Sequence, residues 1–470
     1  MHTLHTKGCR MYMIPQLPKE MKHTFQELGF SNILRKVGIT KAKGFSALST
    51  FIAIFLLAFE KETWFQKKQM SDKADSLPCK DTVYRFLNES RFNWKRFLSL
   101  LSARCVWMCR RLTKEQRVTA LVVDDSLYSR AKSKKVELLS RIHDHASTAK
   151  NKYVKGFQLL TLGWTDGATF IPVGFSLIAS VKSILCGVDE KIDKRTSGYK
   201  CRKEAVKPKP EATFNLIAQA LKAGINANYV LMDTWFTEEP LIKKIIGQGL
   251  DVIGMLKKTV KRHYEFQGKK YTLERLLPRC NRNKTSKDII GSIHVHMTGG
   301  TQAKIVFIKH RSNPNKWLAI LSTDVNISDE EIIRTYGYRW SIEVCFKCVK
   351  SHLNLGTEFQ SRSFDALVSH TTIVFSRYIF LAWEQRKAND DKTLGYLFFE
   401  FGEDIAEVDF KDALRSLMVL VSDIVSSGER EVIIDVQQFK NALLEWMLKL
   451  PPYLRRILLK DVPLDLIQAS

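Results

Sequence analysis

The stretch Val118–Ser126, which reads VTALVVDDS, decides the fold. Its apolar, β-prone part, Val118–Val123, predicts a strand buried inside a sheet, because a strand covered on both faces lacks polar alternation. The run leads straight into Asp124, Asp125 and Ser126. Neighbouring side chains on a strand point to opposite faces, so Asp124 shares its face with Ser126 and Asp125 does not. We therefore expect a buried strand that delivers an acidic group to the edge of a sheet.

Further strands and helices are predicted on the C-terminal side of this run. Phe157–Trp164 and Thr169–Ile178 have strand character on either side of an Asp-Gly turn, which predicts an antiparallel meander. The short strand Tyr229–Met232 ends at Asp233 and is expected to open a parallel βαβ unit with a right-handed crossover. The remaining elements of this part are a basic loop, two helices and a strand, at Lys182–Pro210, Glu211–Ala223, Glu238–Gln248 and Asp251–Leu256.

Residues 258–325 follow a β-rich pattern, and a long helix is predicted after them, at Asp329–Leu353. The strands expected in the β-rich segment are Tyr271–Leu273, Ile289–Met297, Ala303–Lys309 and Trp317–Thr323. At about 100° per residue, four polar side chains of the helix fall within an arc of roughly 60°. They are Tyr336, Arg339, Glu343 and Lys350. An exposed helix with an ordinary i,i+4 ion pair between Arg339 and Glu343 is the alternative interpretation of this helix alone.

Both ends of the chain are predicted to be helical. In residues 1–112, apolar residues recur at helical spacing over Ser46–Phe59 and Trp94–Val106, and a helix start is expected at Asp81. Such short helices suit either a DNA-binding module of the helix-turn-helix kind or a plain helical bundle. The basic side chains available there for phosphates are Lys80, Arg85, Arg91 and Lys95. The C-terminal helices are expected at Phe364–Ala388 and Asp409–Leu448.

The order of these elements is that of a ribonuclease H-like α/β domain with a mixed five-stranded sheet. We expect a catalytic core in residues 113–257 and 326–360, interrupted by a β-rich insertion at 258–325. A helical DNA-binding domain, 1–112, precedes this core, and a helical region, 361–470, follows it. In that fold the centre of the first strand, the end of the fourth strand and a later helix approach one another.

These three places hold Asp124, Asp233 and Glu343. Three such carboxylates can bind two Mg²⁺ ions, with Mn²⁺ as a substitute, for hydrolysis and transfer of phosphodiesters. The D-x-[ST] pattern favours Asp124 as the first ligand, and Asp125 remains the alternative. Nearby, a structural or substrate-side role is preferred over metal binding for His143, Asp144 and His145.

Charge and cysteine content narrow the function classes. Lys and Arg number 74 against 49 Asp and Glu, a net charge of +25, which favours a polyanionic partner such as nucleic acid. Nine cysteines in 470 residues indicate a reducing cytoplasm rather than a disulfide framework. Cys345 and Cys348 precede His352, but a zinc site needs a further ligand pair, so buried thiols are expected. The sequence lacks Gly-rich phosphate-binding motifs and an apolar run that could span a membrane.

The spacing of Tyr336, Arg339, Glu343 and Lys350 resembles the Y-R-E-K signature of bacterial insertion-sequence transposases of the family founded on insertion sequence four. Three longer stretches also resemble that family: KGFQLLTLGWTDG, DTWFTEEPLI and YRWSIEVCFKCVKSHLNLGTEFQSRSFDAL. The resemblance covers about residues 80–420. It implies cut-and-paste DNA transposition, in which the three acids bind the metal ions and a DNA hairpin forms as an intermediate.

The resemblance also implies partners and roles for other residues. Tyr336 and Arg339 would contact DNA near the cleaved end, Lys350 would contact a phosphate, and Trp317 or Trp235 would stack on an extruded base. The N-terminal segment would recognise the terminal inverted repeats, and the C-terminal helices would pair two subunits as a homodimer on end and target DNA. A cytoplasmic, nucleoid-associated protein without a membrane partner is expected. The competing hypotheses are a nuclease or resolvase without strand transfer, and an inactive transposase-derived DNA-binding regulator.

Overall fold

The computed structural model describes residues 17–70, 77–112, 117–144, 153–188, 192–283, 286–310, 313–388, 392–426 and 436–448, together with 450 and 454. The helices in these ranges are α1 (Lys19–Glu27), α2 (Phe30–Lys36), α3 (Ala47–Glu60), α4 (Trp64–Met70), α5 (Lys80–Asn88), α6 (Trp94–Arg111), α7 (Ser197–Ala205), α8 (Lys209–Lys222), α9 (Glu239–Ile246), α10 (Leu273–Leu276), α11 (Asp329–Gly337), α12 (Trp340–Ser351), α13 (Phe364–Lys387), α14 (Leu394–Ser426) and α15 (Val436–Leu448). The strands are β1 (Ala120–Ser129), β2 (Ser140–His143), β3 (Tyr153–Thr165), β4 (Phe170–Ile178), β5 (Tyr229–Met232), β6 (Asp251–Met255), β7 (Tyr264–Phe266), β8 (Lys269–Tyr271), β9 (Asn281–Arg282), β10 (Ile289–Met297), β11 (Gln302–His310) and β12 (Asn313–Ser322).

The centre of the fold is a mixed sheet of five strands in the order β4-β3-β1-β5-β6. Strand β3 is antiparallel to both β1 and β4, while β1, β5 and β6 run parallel. The parallel pair β5 and β6 is joined through α9, as a βαβ unit requires. This topology confirms the predicted ribonuclease H-like core with its antiparallel meander.

Strand β1 is longer than predicted. It continues through both aspartates to Ser129, because its pairing with β3 is unbroken from Ala120 to Ser129. Asp124 therefore lies at the middle of the strand and not at its end. The short strand β2, which pairs with the first residues of β3, was not predicted.

The β-rich segment continues the central sheet. Strand β12 pairs antiparallel with β6, and β11 and β10 follow it in order. Buried and exposed side chains alternate along most of β10, in agreement with the strand predicted there. The prediction of a strand at Tyr271–Leu273 is wrong after Tyr271, since β8 ends at Tyr271 and α10 begins at Leu273.

Two predicted elements near the site need correction. The basic loop Lys182–Pro210 contains a helix, α7, whose first turn is capped by the Thr196 hydroxyl. The single helix expected at Asp329–Leu353 is two helices, α11 and α12. Between them, successive backbone N–H groups bond three residues back instead of four, for example Arg339 N to Tyr336 O at 3.0 Å. Gly337, a poor helix former, ends α11 at this point.

The N-terminal helices share one hydrophobic core with α13 and the sheet. Phe380 of α13 packs against Phe25 and Phe55, with ring centroids 5.9 and 5.6 Å apart. On α6, Ser102 Oγ donates to the carbonyl oxygen of Pro172 in β4 at 2.7 Å. The described part of 1–112 is thus helical, as predicted, and packs directly on the rest of the protein.

Helix α13 also contains a fully buried arginine, Arg377. Its guanidinium donates to the carbonyl oxygens of Phe55 and Leu353, at 2.9 and 3.1 Å, and lies 3.0 Å from the buried carboxylate of Glu358. It therefore joins α3, α13 and the segment that follows α12.

The C-terminal helix predicted at Asp409–Leu448 corresponds to two helices, α14 and α15. Helix α14 begins earlier, at Leu394, and packs on the core through Leu397, Phe398, Phe401 and Ile405. Residues 427–435 lie outside the described residues. Of the helices in the described part of the chain, none combines the length and apolar character that a membrane span requires.

Candidate functional site

Two acidic residues meet where parallel strands β1 and β5 lie side by side. Val123 of β1 is in register with Met232 of β5, so the residues that follow, Asp124 and Asp233, are neighbours across the sheet. Asp233 Oδ1 accepts hydrogen bonds from the backbone N–H groups of Trp235 and Phe236, at 2.9 and 3.3 Å. This turn fixes the Asp233 carboxylate at the carboxyl end of β5, a usual position for a site in an α/β sheet.

A guanidinium joins the third acid to the first. Arg339 stands directly before α12, and its Nη1 donates to Asp124 Oδ2 at 2.8 Å while its Nη2 donates to Glu343 Oε1 at 2.6 Å. The Arg339 and Asp124 side chains are only 17% and 16% exposed, so water screens this pair weakly. The structure therefore brings Asp124, Asp233, Arg339 and Glu343 together from the middle of β1, the carboxyl end of β5 and the start of α12.

The environment of Asp124 disfavours its charged form. The pKa of Asp124 is raised to about 7, mainly by burial; the charge of Arg339 opposes this rise, and the charge of Asp233 adds to it. Tyr336, at the end of α11, is buried beside this cluster, and the burial raises its phenol pKa to about 12. The Arg339 guanidinium lies 6.0 Å from the Tyr336 ring. A raised carboxyl pKa in a cluster of acids marks a place that favours an added positive charge.

Asp125, the alternative first ligand, points elsewhere. Its Oδ2 lies 3.2 Å from Lys209 Nζ at the start of α8. The same Nζ lies 3.9 Å from the centre of the Trp235 ring, and Trp235 is 46% exposed. Asp125 thus belongs to a neighbouring cluster with Lys209 and Trp235, while Asp124 faces the other acids.

Lys350 lies on the same helix as Glu343 and reaches the face of β1 that carries Asp124. Its Nζ donates to Ser126 Oγ at 2.6 Å. Desolvation lowers the Lys350 pKa, and the charge of Asp144 opposes that shift. Asp144 therefore lies within electrostatic reach of this lysine, whereas His145 lies outside the described residues.

Lys95, one of the basic residues proposed for phosphates, and Arg202 of the basic segment Lys182–Pro210 are engaged inside the protein. Lys95 lies 2.8 Å from Glu204, and both side chains are mostly buried. Arg202 is buried between Glu137 and Asp365. These two are therefore not available for phosphates, whereas Lys80, Arg85 and Arg91 are exposed.

The tryptophan and cysteine residues considered from the sequence lie outside the acidic cluster. Trp317 packs on Phe307 in the insertion, with Lys258 Nζ 3.6 Å above its ring. Cys345 and Cys348 are buried on the inner face of α12. Sequence reasoning missed Trp340, the first residue of α12, which is 63% exposed one turn from Glu343. Its position directly after Arg339 in the signature was the available signal.

The carboxylates of Asp124, Asp233 and Glu343 are ligands of the type that a divalent cation prefers, since Mg²⁺ and Mn²⁺ bind carboxylate oxygens. The raised pKa of Asp124 beside Asp233 points the same way. In the conformation described, Arg339 lies between Asp124 and Glu343. Within the described ranges, no three Asp, Glu, His or Cys side chains are grouped closely enough to hold an ion. Ion binding by all three acids thus requires Arg339 to move.

This fold and site define a ribonuclease H-like α/β protein with an acidic cluster beside its parallel strands β1 and β5. Two family models match the sequence: the DDE superfamily endonuclease at residues 66–275 and the transposase DDE domain at residues 205–380. The matched ranges together run from residue 66 to residue 380, and they contain Asp124, Asp233 and Glu343.

The other comparisons are less informative. No protein of curated function matches the sequence. A chain of the Drosophila P element transposase strand transfer complex is similar, with 13% identity and a TM-score of 0.25. The similarity spans 57% of this chain and 57% of that chain, a little over half of its length.

Proposed function

We propose that the protein is a DNA transposase that catalyses cut-and-paste transposition of an insertion sequence. The observation that carries this proposal is that Arg339 joins Asp124 of β1 to Glu343 of α12 beside Asp233, within ranges that two DDE family models match. The net charge of +25 suits its substrate, DNA. The Y-R-E-K spacing supports the narrower assignment to the family founded on insertion sequence four.

Asp124, Asp233 and Glu343 are the proposed ligands of two Mg²⁺ ions, which Mn²⁺ can replace. Ions held there would supply Lewis-acid polarisation of a scissile phosphate and would lower the pKa of a bound water or 3′-hydroxyl. Asp124 is the first ligand, because Asp125 is paired with Lys209. The turn at Trp235 and Phe236 holds Asp233 in place for this role.

Tyr336, Arg339 and Lys350 form the proposed grip on the element end. Arg339 and Lys350 bring positive charge to the rim of the acidic cluster, where scissile and neighbouring phosphates would lie. Trp235 is exposed two residues after Asp233, and Trp340 is exposed three residues before Glu343. We assign the stacking of an extruded base to this pair rather than to Trp317. The exposed Lys80, Arg85 and Arg91 are assigned to contacts with the inverted repeats.

A homodimer is the proposed active form. From Phe410 to Val421, the described side chains of α14 are exposed or half-buried, and an apolar stripe follows the helix. Its members Phe410, Leu414 and Met418 are 52%, 48% and 66% exposed. An exposed apolar stripe of this kind suits pairing with a second copy of the chain. Such a dimer would hold two element ends in the cytoplasmic nucleoid.

The experiment that tests the proposal combines the protein, Mg²⁺, a duplex that carries the ends of its own element, and a supercoiled target plasmid. Cleavage at the ends and joining of the freed 3′ ends to the plasmid are expected. Cleavage without joining would favour a nuclease or resolvase instead. Binding of the ends without cleavage would favour a DNA-binding regulator.

A further inference from the structure

Arg339 lies at the position where a cation would serve two of the acids. Its guanidinium donates to Asp124 at 2.8 Å and to Glu343 at 2.6 Å. The rigid fork of a guanidinium can satisfy two carboxylates at once, which a lysine ammonium does less well. One positive charge is therefore shared between two proposed metal ligands that come from different elements.

A divalent ion and this guanidinium exclude each other. Arg339 already occupies one oxygen of each carboxylate, Asp124 Oδ2 and Glu343 Oε1, and the like charges of the ion and the guanidinium repel at such short range. The Arg339 pair with Asp124 is also mostly buried, so water does little to loosen it. Metal binding to all three acids must therefore break two charge-assisted hydrogen bonds.

We propose that Arg339 is an internal counterion that fills the cation position in the DNA-free protein and leaves it when a DNA phosphate offers a replacement. The inference rests on the proposed function for the identity of the metal ligands. It adds an order of events, in which binding of the element end opens the metal site. Because such coupling is reciprocal, metal binding also strengthens the grip of Arg339 on DNA.

The displacement needs little motion of the backbone. Arg339 lies at the join of α11 and α12, and its backbone has helical dihedral angles. Rotation of the side chain alone can carry the guanidinium from the acids toward the rim, where Lys350 lies. In the DNA-free protein, Arg339 thus neutralises the acids and keeps the nuclease inactive.

The test measures Mn²⁺ binding to the full-length protein without DNA, by the electron paramagnetic resonance signal of free Mn²⁺. Arg339→Gln is expected to bind Mn²⁺ at least about tenfold more tightly than the wild type, because the competing hydrogen bonds are gone. Arg334→Gln is the matched control, since Arg334 pairs with Glu331 on the exposed side of α11, and it should leave the affinity unchanged. The double variant Asp124→Asn, Arg339→Gln should lose the gain.

Equal or weaker Mn²⁺ binding by folded Arg339→Gln overturns the counterion role and leaves the proposed metal site standing. Absence of Mn²⁺ binding in the wild type and in this variant overturns both. Should Arg339→Gln fail to fold, as judged by circular dichroism, Arg339→Lys decides the question. That variant keeps the positive charge but loses the forked guanidinium. A gain in Mn²⁺ affinity smaller than that expected for Arg339→Gln supports the counterion role, and no gain contradicts it.

Discussion

Lys209 Nζ lies 3.2 Å from Asp125 Oδ2. Asp124, its neighbour on β1, bonds to Arg339 instead. Two adjacent aspartates on one strand thus have separate partners, as the alternation of side chains requires. Sequence reasoning left the choice between these two acids open, and their partners now give opposite expectations for their substitution.

Asp124→Asn is expected to abolish cleavage of element ends, with a loss of at least about a hundredfold, because it removes a charged metal ligand. Asp125→Asn should retain most of the activity, since it affects only the pair with Lys209. Cleavage assays on equal amounts of end-bound protein check both. Inactivity confined to Asp125→Asn would reverse the assignment of the first ligand.

The stability of the protein should depend on the protonation of Asp124. Its folded pKa of about 7 lies above the ordinary 3.8, so the folded state keeps a proton that the unfolded chain releases. Stability from this group is present at low pH and is lost as the pH rises from about 4 to 7. Asp124→Asn should therefore gain stability relative to wild type by up to about 4 kcal/mol between pH 4 and pH 8.

Urea unfolding at both ends of this pH range measures that difference. Asp125→Asn is the control, because it alters the neighbouring residue and leaves the Asp124 contacts in place. A difference between Asp124→Asn and wild type that is the same at both pH values would contradict the raised pKa.

Lys350→Ala is expected to weaken binding of the element end and to reduce the slope of log K against log salt concentration by about one. The reason is the loss of one phosphate contact from a lysine held on the site face by Ser126. Lys347→Ala, an exposed lysine on the same helix, is the control and should leave the slope unchanged. Fluorescence anisotropy over a salt series gives both slopes, and equal slopes would remove Lys350 from the phosphate contacts.

Arg377→Ala should destabilise the fold by about 3–5 kcal/mol, because it leaves the buried Glu358 carboxylate without its cationic partner. Both side chains are at most 1% exposed, and the arginine also satisfies carbonyl groups of α3. Chemical unfolding measures the loss. Arg334→Ala, which breaks a surface pair, should change the stability far less, and a similarly small loss for Arg377→Ala would contradict its structural role.

The double variant Phe410→Glu, Leu414→Glu should shift the protein from dimer to monomer in sedimentation velocity, because it places charges in the apolar stripe of α14. Lys411→Glu is the control, since Lys411 pairs with the exposed Glu407 on the same helix. A monomeric wild type, or a double variant that still dimerises, would exclude this stripe as the interface.

Much of the sheet could be predicted because its signals are local. Tyr229–Met232 and Ile289–Met297 have the predicted boundaries, since each is an apolar or alternating run that ends at polar residues. Helix α7 was missed because its basic composition resembles that of a solvated loop. The buried role of Arg202 depends on Asp365, which is 163 residues away, and no local pattern contains that information.

The same distinction applies to the site. The meeting of Asp124 with Asp233 follows from the expected strand order, and the register of β1 with β5 confirms their proximity. The contact of Arg339 with Asp124 joins residues 215 positions apart. It also depends on the three-residue hydrogen bonding between α11 and α12, which a uniform helical period cannot reveal. The catalytic roles of Asp124 and Asp233 and the DNA-binding role of Arg339 remain predictions until the variants above are measured.

The shared core of the N-terminal helices and α13 limits how this protein can be divided. A fragment that begins at residue 113 would leave Phe380 without Phe25 and Phe55, and Arg377 without the carbonyl oxygen of Phe55. Such a fragment would be expected to aggregate rather than to act as a free-standing nuclease. Under the proposed function, we therefore expect recognition of a new DNA end to arise by substitutions on exposed helix faces, and not by exchange of a whole N-terminal cassette.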